Sequence, residues 1–210
     1  MVDIILKTLE PADNFDLLTL DEAKLLLNIT DDDEDASIQM LITTYSDVVA
    51  TLCNRVFAKE TMRETIRCLQ PNRYFVSHYP IADEADVASV ECPRGTVLDP
   101  STYEIELKSG KIELFSSRSE PIVVTYTGGY DLPEEAPPAL KQATLIFIRD
   151  ERIAAMRAQT AGIRALTHKE SRVVFFDPNA IALKAAGLKT GEWQSTAANN
   201  LLMHYVRILC

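Results

Sequence analysis

The densest run of potential ligands is Asp31-Asp32-Asp33-Glu34-Asp35, in which Asp31, Asp33 and Asp35 alternate as the oxygen donors of a calcium loop do. Such a loop also needs glycine at its sixth position and a bidentate glutamate at its twelfth. Those positions hold Ala36 and Ile42. The run is therefore read as a helix start, where carboxylates accept from unpaired backbone N–H groups and favour the positive end of the helix dipole. His78, His168 and His204 stand apart, and Cys53, Cys68, Cys92 and Cys210 form no C-x-x-C pair, so no metal set follows from spacing. A Cys–His catalytic pair assembles in space rather than in sequence, but nothing marks any of these cysteines as activated. Gly187 and Gly191 bracket Leu-Lys-Thr without the strand–GK[ST]–helix context of a phosphate loop, which leaves a surface turn. Arg149-Asp150-Glu151-Arg152 reads as a solvated or intersubunit charge cluster on a helix. The sequence thus assigns no catalytic residue, no metal and no cofactor. The chain is expected not to be an enzyme, and its function must come from architecture.

The 210 residues carry a formal charge of −10 with a sequence pI of about 4.8, and 47% of them are hydrophobic. That composition builds a core. An acidic chain is a poor wrapper of phosphate backbone, because nucleic-acid binders gain affinity when Lys and Arg release counterions. No apolar run approaches the ~20 residues that span a bilayer, and the N-terminus shows no secretory pattern. Free thiols in a reducing cytoplasm are the expectation.

The elements follow from periodicity. Residues 1–18 read as an irregular leader. Thr19 and Glu22 have capping-box spacing and open a short helix over about 20–28. A longer helix over about 32–56 carries Ile38, Leu41, Ile42, Tyr45, Val48, Val49, Leu52 and Val56 along one stripe. A β-region over about 61–127 follows. Within it, YEIELKSGKIELF is expected to form a hairpin about a two-residue Ser109-Gly110 turn, with Leu107 facing Ile112, Ile105 facing Leu114 and Glu106 facing Glu113. A helix over about 138–158 is apolar on more than half its circumference, so one side is expected on its own sheet and the other on a neighbouring subunit.

Between the last strand and that helix lies TYTGGYDLPEEAPPAL, residues 125–140. Gly128 and Gly129 permit backbone angles closed to other residues and end the strand sharply. Pro137 cannot continue a ladder, and Pro138 suits a first helical turn, where its missing N–H costs nothing. Gly128, Gly129, Pro137 and Pro138 are therefore expected to form a rigid structural turn. Residues 159–210 contain scattered apolar segments too few for a separate core, and are read as an extended arm. Val173, Val174, Phe175 and Phe176 need a covering surface there. Leu201, Leu202, Tyr205 and Leu209 share one side of a terminal helix, the spacing of a helix laid into a partner's groove.

The order of these parts, with TLDEAKLLLNIT near the start and YTGGYDLPEEAPPALKQA in the middle, resembles the head–tail connector (adaptor) proteins of long-tailed bacteriophages, prophages and gene-transfer agents. The resemblance spans roughly residues 17–158. It implies an α+β, mainly helical fold, with a three-helix core and a small antiparallel β-element inserted before the last core helix. The core domain would cover 19–158, and the arm 159–210. It also implies a structural virion protein of the neck, assembled in the host cytoplasm with no membrane partner. About a dozen subunits would form a ring under the portal and extend the DNA channel toward stopper or tail-completion proteins. Double-stranded DNA would pass without sequence-specific binding. The arm would embrace the portal, which makes Phe175, Phe176, Leu201, Leu202, Tyr205 and Leu209 the candidate docking residues. The family's Leu-Leu-x-x-Tyr-Arg-Arg ending is kept in part by Leu201, Leu202 and Tyr205, with Val206 at a basic position. Alternative readings are another phage neck or tail-completion protein, a small cytoplasmic enzyme, or a regulatory oligomer.

Overall fold

A computed structural model describes residues 3–67, 72–116, 120–159, 165–168, 171–174 and 196–207. Four α-helices are present among them: α1 (Leu20–Leu27), α2 (Asp35–Cys53), α3 (Pro138–Gln159) and α4 (Thr196–Leu202). Strands β1 (Asp3–Glu10), β2 (Glu60–Arg67), β7 (Ile122–Gly128) and β4 (Val87–Glu91) form one antiparallel sheet in that spatial order. Strands β3 (Arg73–Phe75), β6 (Lys111–Leu114) and β5 (Tyr103–Glu106) form a second. A separate hairpin pairs β8 (Ala165–His168) with β9 (Ser171–Val174).

The α+β class stands, but the mainly helical three-helix core with a small β-element does not. The two larger sheets enclose an apolar core of their own, built from Met62, Ile66, Tyr74, Ile112, Val124 and Tyr126 among others. The helices bury a different set. Leu17, Val49, Phe57, Leu140 and Phe147 lie in one cluster, and Leu18, Ala23, Ile38, Ile42 and Ile148 in a neighbouring one. The β-region is thus a packed half of the molecule. The supposed leader is also corrected, because residues 3–10 form β1, an edge strand paired along its length with β2.

Local chemistry explains the helix ends. Thr19 Oγ1 accepts from the Glu22 N–H and the Glu22 carboxylate accepts from the Thr19 N–H, both at 3.1 Å. At α2 the acidic run acts differently from expectation: Glu34 precedes the helix without a side-chain capping bond. Instead Lys24 Nζ bridges Asp32 at 2.6 Å and Asp35 at 2.7 Å, tying α1 to the start of α2. Those bonds hold the Asp32 carboxyl below its ordinary range and push the Lys24 ammonium up.

The hairpin register differs by two residues from expectation. Ile105 faces Ile112, Tyr103 faces Leu114, and Glu106 faces Lys111. The connection is longer, with the Gly110 N–H returning to the Glu106 carbonyl at 2.9 Å. An even shift keeps every side chain on its face, so the apolar side survives. The like-charge pair is now Glu104 and Glu113, and Lys111 at 2.9 Å and Arg73 at 3.2 Å bind the Glu113 carboxylate.

Helix α3 buries every residue from Ala143 to Ile148. One side meets α1 and α2, and the other meets α4 of the same chain. The neighbouring subunit expected on that second side is therefore replaced by this chain's own tail. Farther along, Arg152 pairs with Glu34 at 2.6 Å and Tyr45 Oη with Glu151 at 3.2 Å.

Candidate functional site

Strand β2 reads ETMRETIR, and its alternation turns Glu60, Met62, Glu64 and Ile66 to the same buried face. Two carboxylates thus enter the interior beside two apolar side chains. Glu64 is fully buried, and a buried charge is tolerated only when donors surround it. It has three: the Ser77 N–H at 2.9 Å, Ser77 Oγ at 2.5 Å and Tyr126 Oη at 2.8 Å. Tyr126 also accepts the His78 N–H at 3.0 Å. Burial, reinforced by the Glu64 charge, pushes the Tyr126 phenol well above its ordinary pKa.

His78 is buried, and its pKa is lowered chiefly by that burial. The Glu60 carboxylate stands 3.1 Å from Nε2, yet neither ring nitrogen has a partner in hydrogen-bonding alignment. The contact is one of charge proximity, and alignment decides that it is not a hydrogen bond.

Arg55 leaves α2 immediately after Asn54, whose left-handed backbone (φ 52°) ends the helix. Its guanidinium lies 3.7 Å from the Tyr79 ring centroid and 4.7 Å from that of Phe57, and it donates to the Tyr79 carbonyl. Arg55 Nε is buried without an acceptor. The tail returns to the same place. The Arg207 N–H donates to the Cys53 carbonyl at 2.8 Å, and Arg207 Nη1 to Ser77 Oγ at 2.8 Å. Arg55, His78, Ser77 and Arg207 thereby line one cleft of about 440 Å³, with Leu6 of β1, Asp47 and Thr51 of α2, and Asn54 just past that helix on its walls. Cys53, behind it, is a free thiol that burial pushes up to about 11. It is not the activated kind.

Of the two glycines expected at the turn, Gly128 is the last residue of β7 and Gly129 follows it. Gly129 has φ +114°, and a Cβ there would run into the Ala58 carbonyl oxygen. A Cβ on Gly128 would meet the His78 carbonyl. Backbone bonds from Gly129 to Pro80, Tyr130 to Phe57 and Lys59 to Tyr130 lock this corner at 2.8–2.9 Å. Pro138 opens α3, and the Pro137 carbonyl accepts from Leu140 at 2.9 Å and Lys141 at 3.1 Å.

The candidate docking residues divide. Leu202 is buried in this chain's helical core, and Leu201 and Tyr205 pack on it, with Tyr205 edge-on to Phe57 at 6.3 Å. These three anchor the tail to its own subunit, because the apolar side of α4 covers α3. Phe175, Phe176 and Leu209 lie outside the described residues, as do Cys68, Cys210 and the 187–191 loop. Among the described residues, no group of three His, Cys, Asp or Glu could hold a metal, and no helix is long and apolar enough to cross a membrane. Sequence reasoning missed Arg55, Glu64, Tyr126 and Arg207. Only the alternation in β2, which places Glu64 in step with Met62 and Ile66, pointed to one of them.

Buried polar and ionisable groups thus bind β2, the segment after β3, β7 and the tail together. The sequence pattern described as "Head completion protein" matches residues 16–150, and the chain belongs to that family. Membership makes it a structural protein of the virion and not an enzyme. A search of curated proteins finds no match. Among solved structures, the fold is similar to a chain in the neck of an empty gene transfer agent particle computed with sixfold symmetry: 13% identity, TM-score 0.54, with 98% of this chain and 97% of that one covered. A chain from the virion of a native gene transfer agent particle shows 12% identity and TM-score 0.56 over the same shares. A third, from a native neck computed with twelvefold symmetry, shows 11% identity and TM-score 0.54, again over 98% and 97%.

Proposed function

We propose that this protein is a head–tail connector: a homo-oligomeric ring in the virion neck, seated under the portal and extending the DNA channel toward stopper or tail-completion proteins. The observation that carries the reading is the head completion match over residues 16–150, joined to a fold shared along 98% of the chain with particle-neck proteins. The rigid corner at Gly129 suits it, because each copy of a closed ring must hold the same angle. The net charge of −10 suits a channel past which DNA slides without salt-dependent retention. Phe175, Phe176 and Leu209 remain the docking candidates for portal, whereas Leu201, Leu202 and Tyr205 serve the subunit's own core. Assembly in the host cytoplasm belongs to the same proposal.

The test is genetic and structural together. Phage or prophage lacking this chain should accumulate filled heads without tails, and added protein should restore joining. Tailed, infectious particles formed in its absence would contradict the proposal.

A further inference from the structure

Opposite charges flank the two ends of helix α2. At its start, Asp31 and Asp33 are exposed and make no ion pair among the described residues. At its finish, the Arg55 and Arg207 guanidiniums line the cleft, and neither has a carboxylate within 4 Å among the described residues. Arg55 is only 8% exposed, and His78 beside it 3%. A buried guanidinium with no carboxylate and an unused Nε is costly, since such charges are normally paired. The carboxylates behind the cleft are already engaged: Glu64 has its three donors, and Glu60 faces His78 and the Ala12 N–H. Asp47 stands on the wall but bonds neither arginine. Among the described residues both cleft arginines are therefore left without a paired carboxylate, and their planar forks match one.

We propose that this cleft receives an acidic side chain from the Asp31–Asp35 run of a neighbouring copy of the same chain. The inference rests on the ring reading above and names its contact. Helix α2 has 19 residues, so its ends lie about 28 Å apart and cannot meet within one copy. Between copies they meet head to tail, each subunit giving one carboxylate and receiving one. That is the heterologous arrangement that closes into a ring. Lys24 already holds Asp32 and Asp35, which fixes the loop and leaves Asp31 and Asp33 to reach outward.

The experiment uses the full chain and charge reversal, read by sedimentation and electron microscopy. Arg207→Glu alone and the double variant Asp31→Lys, Asp33→Lys alone should each remain unassembled. Mixed in equal amounts they should form alternating rings, because every cleft again meets an opposite charge. If wild type assembles and each variant assembles equally well, the ring stands and this contact is overturned. If wild type forms no ring, the ring reading fails by itself, and a second arm still decides the contact. A labelled peptide of residues 29–36, ITDDDEDA, should bind the full chain, more weakly as salt rises and at least about tenfold more weakly to Arg207→Gln. Equal binding to both proteins overturns the cleft as acceptor. Equal binding of a scrambled peptide of the same charge overturns the assignment to this segment and points to an acidic partner of another sequence. Thermal melts of Arg207→Gln establish that the variant compared is folded.

Discussion

The Arg207 guanidinium donates to Ser77 Oγ at 2.8 Å, joining residues 130 positions apart, while the same serine donates to Glu64. The tail is therefore wired into the buried network of the β-half as well as resting on the helices.

Removing the tail should cost stability as well as contacts with partners. Leu202 is 3% exposed, and Leu202→Ala should lower unfolding free energy by about 2–5 kcal/mol, the range for buried leucines. Deleting residues 196–210 should lower it further by uncovering Phe147 and Ala143. Urea denaturation of the two variants against wild type measures both. An unchanged midpoint for the deletion would mean that the tail does not pack on its own subunit.

The corner should tolerate change at Pro138 and not at Gly129. Pro138→Ala should shift stability by less than about 1 kcal/mol, since alanine accepts the first helical turn. Gly129→Val places a β-branched side chain at φ +114° against the Ala58 carbonyl. It should fail to accumulate as soluble folded protein, and the soluble yield of both variants beside wild type checks the contrast.

Stability should fall at both ends of the pH scale for named reasons. Burial lowers the His78 pKa in the folded state, so below about 6.5 the unfolded chain binds the extra proton and stability drops as pH falls. Burial and Glu64 raise the Tyr126 pKa, so above about 10 the unfolded chain loses its proton first and stability drops as pH rises. Tyr126→Phe should weaken the alkaline loss. It should also cost about 1–3 kcal/mol at neutral pH by removing a donor from buried Glu64. Denaturation midpoints across pH for wild type and variant test both signs.

Elements marked by local chemistry were legible in the sequence. The Thr19–Glu22 box, the left-handed backbone at Gly129 and the helix start at Pro138 rest on residues close in the chain, whose types favour those conformations. Strand β1 was not legible, because Ile5, Leu6 and Leu9 are exposed and its partner β2 begins 50 residues beyond its end. Glu64 was missed because its partners stand 13 and 62 positions away, and a glutamate in a strand reads as surface. For α4, an amphipathic stripe states that something covers it. It does not say whether the cover is a partner or the chain's own α3. The hairpin shows the converse limit: parity was readable from alternation, whereas the two-residue register depended on a turn longer than Ser109-Gly110 suggested.

The free protein should not retain double-stranded DNA. With a formal charge of −10, gel retardation at low salt should show no complex at micromolar protein. Sub-micromolar binding that weakens steeply with salt would mean that a basic surface dominates the net charge.

The connector reading is tested most directly by mixing the full chain with purified portal and imaging the product by electron microscopy. The account predicts a second ring of this chain stacked on one end of the portal, continuing its central channel. Portal particles that remain bare at saturating protein, or that carry scattered single copies without rotational symmetry, would contradict it.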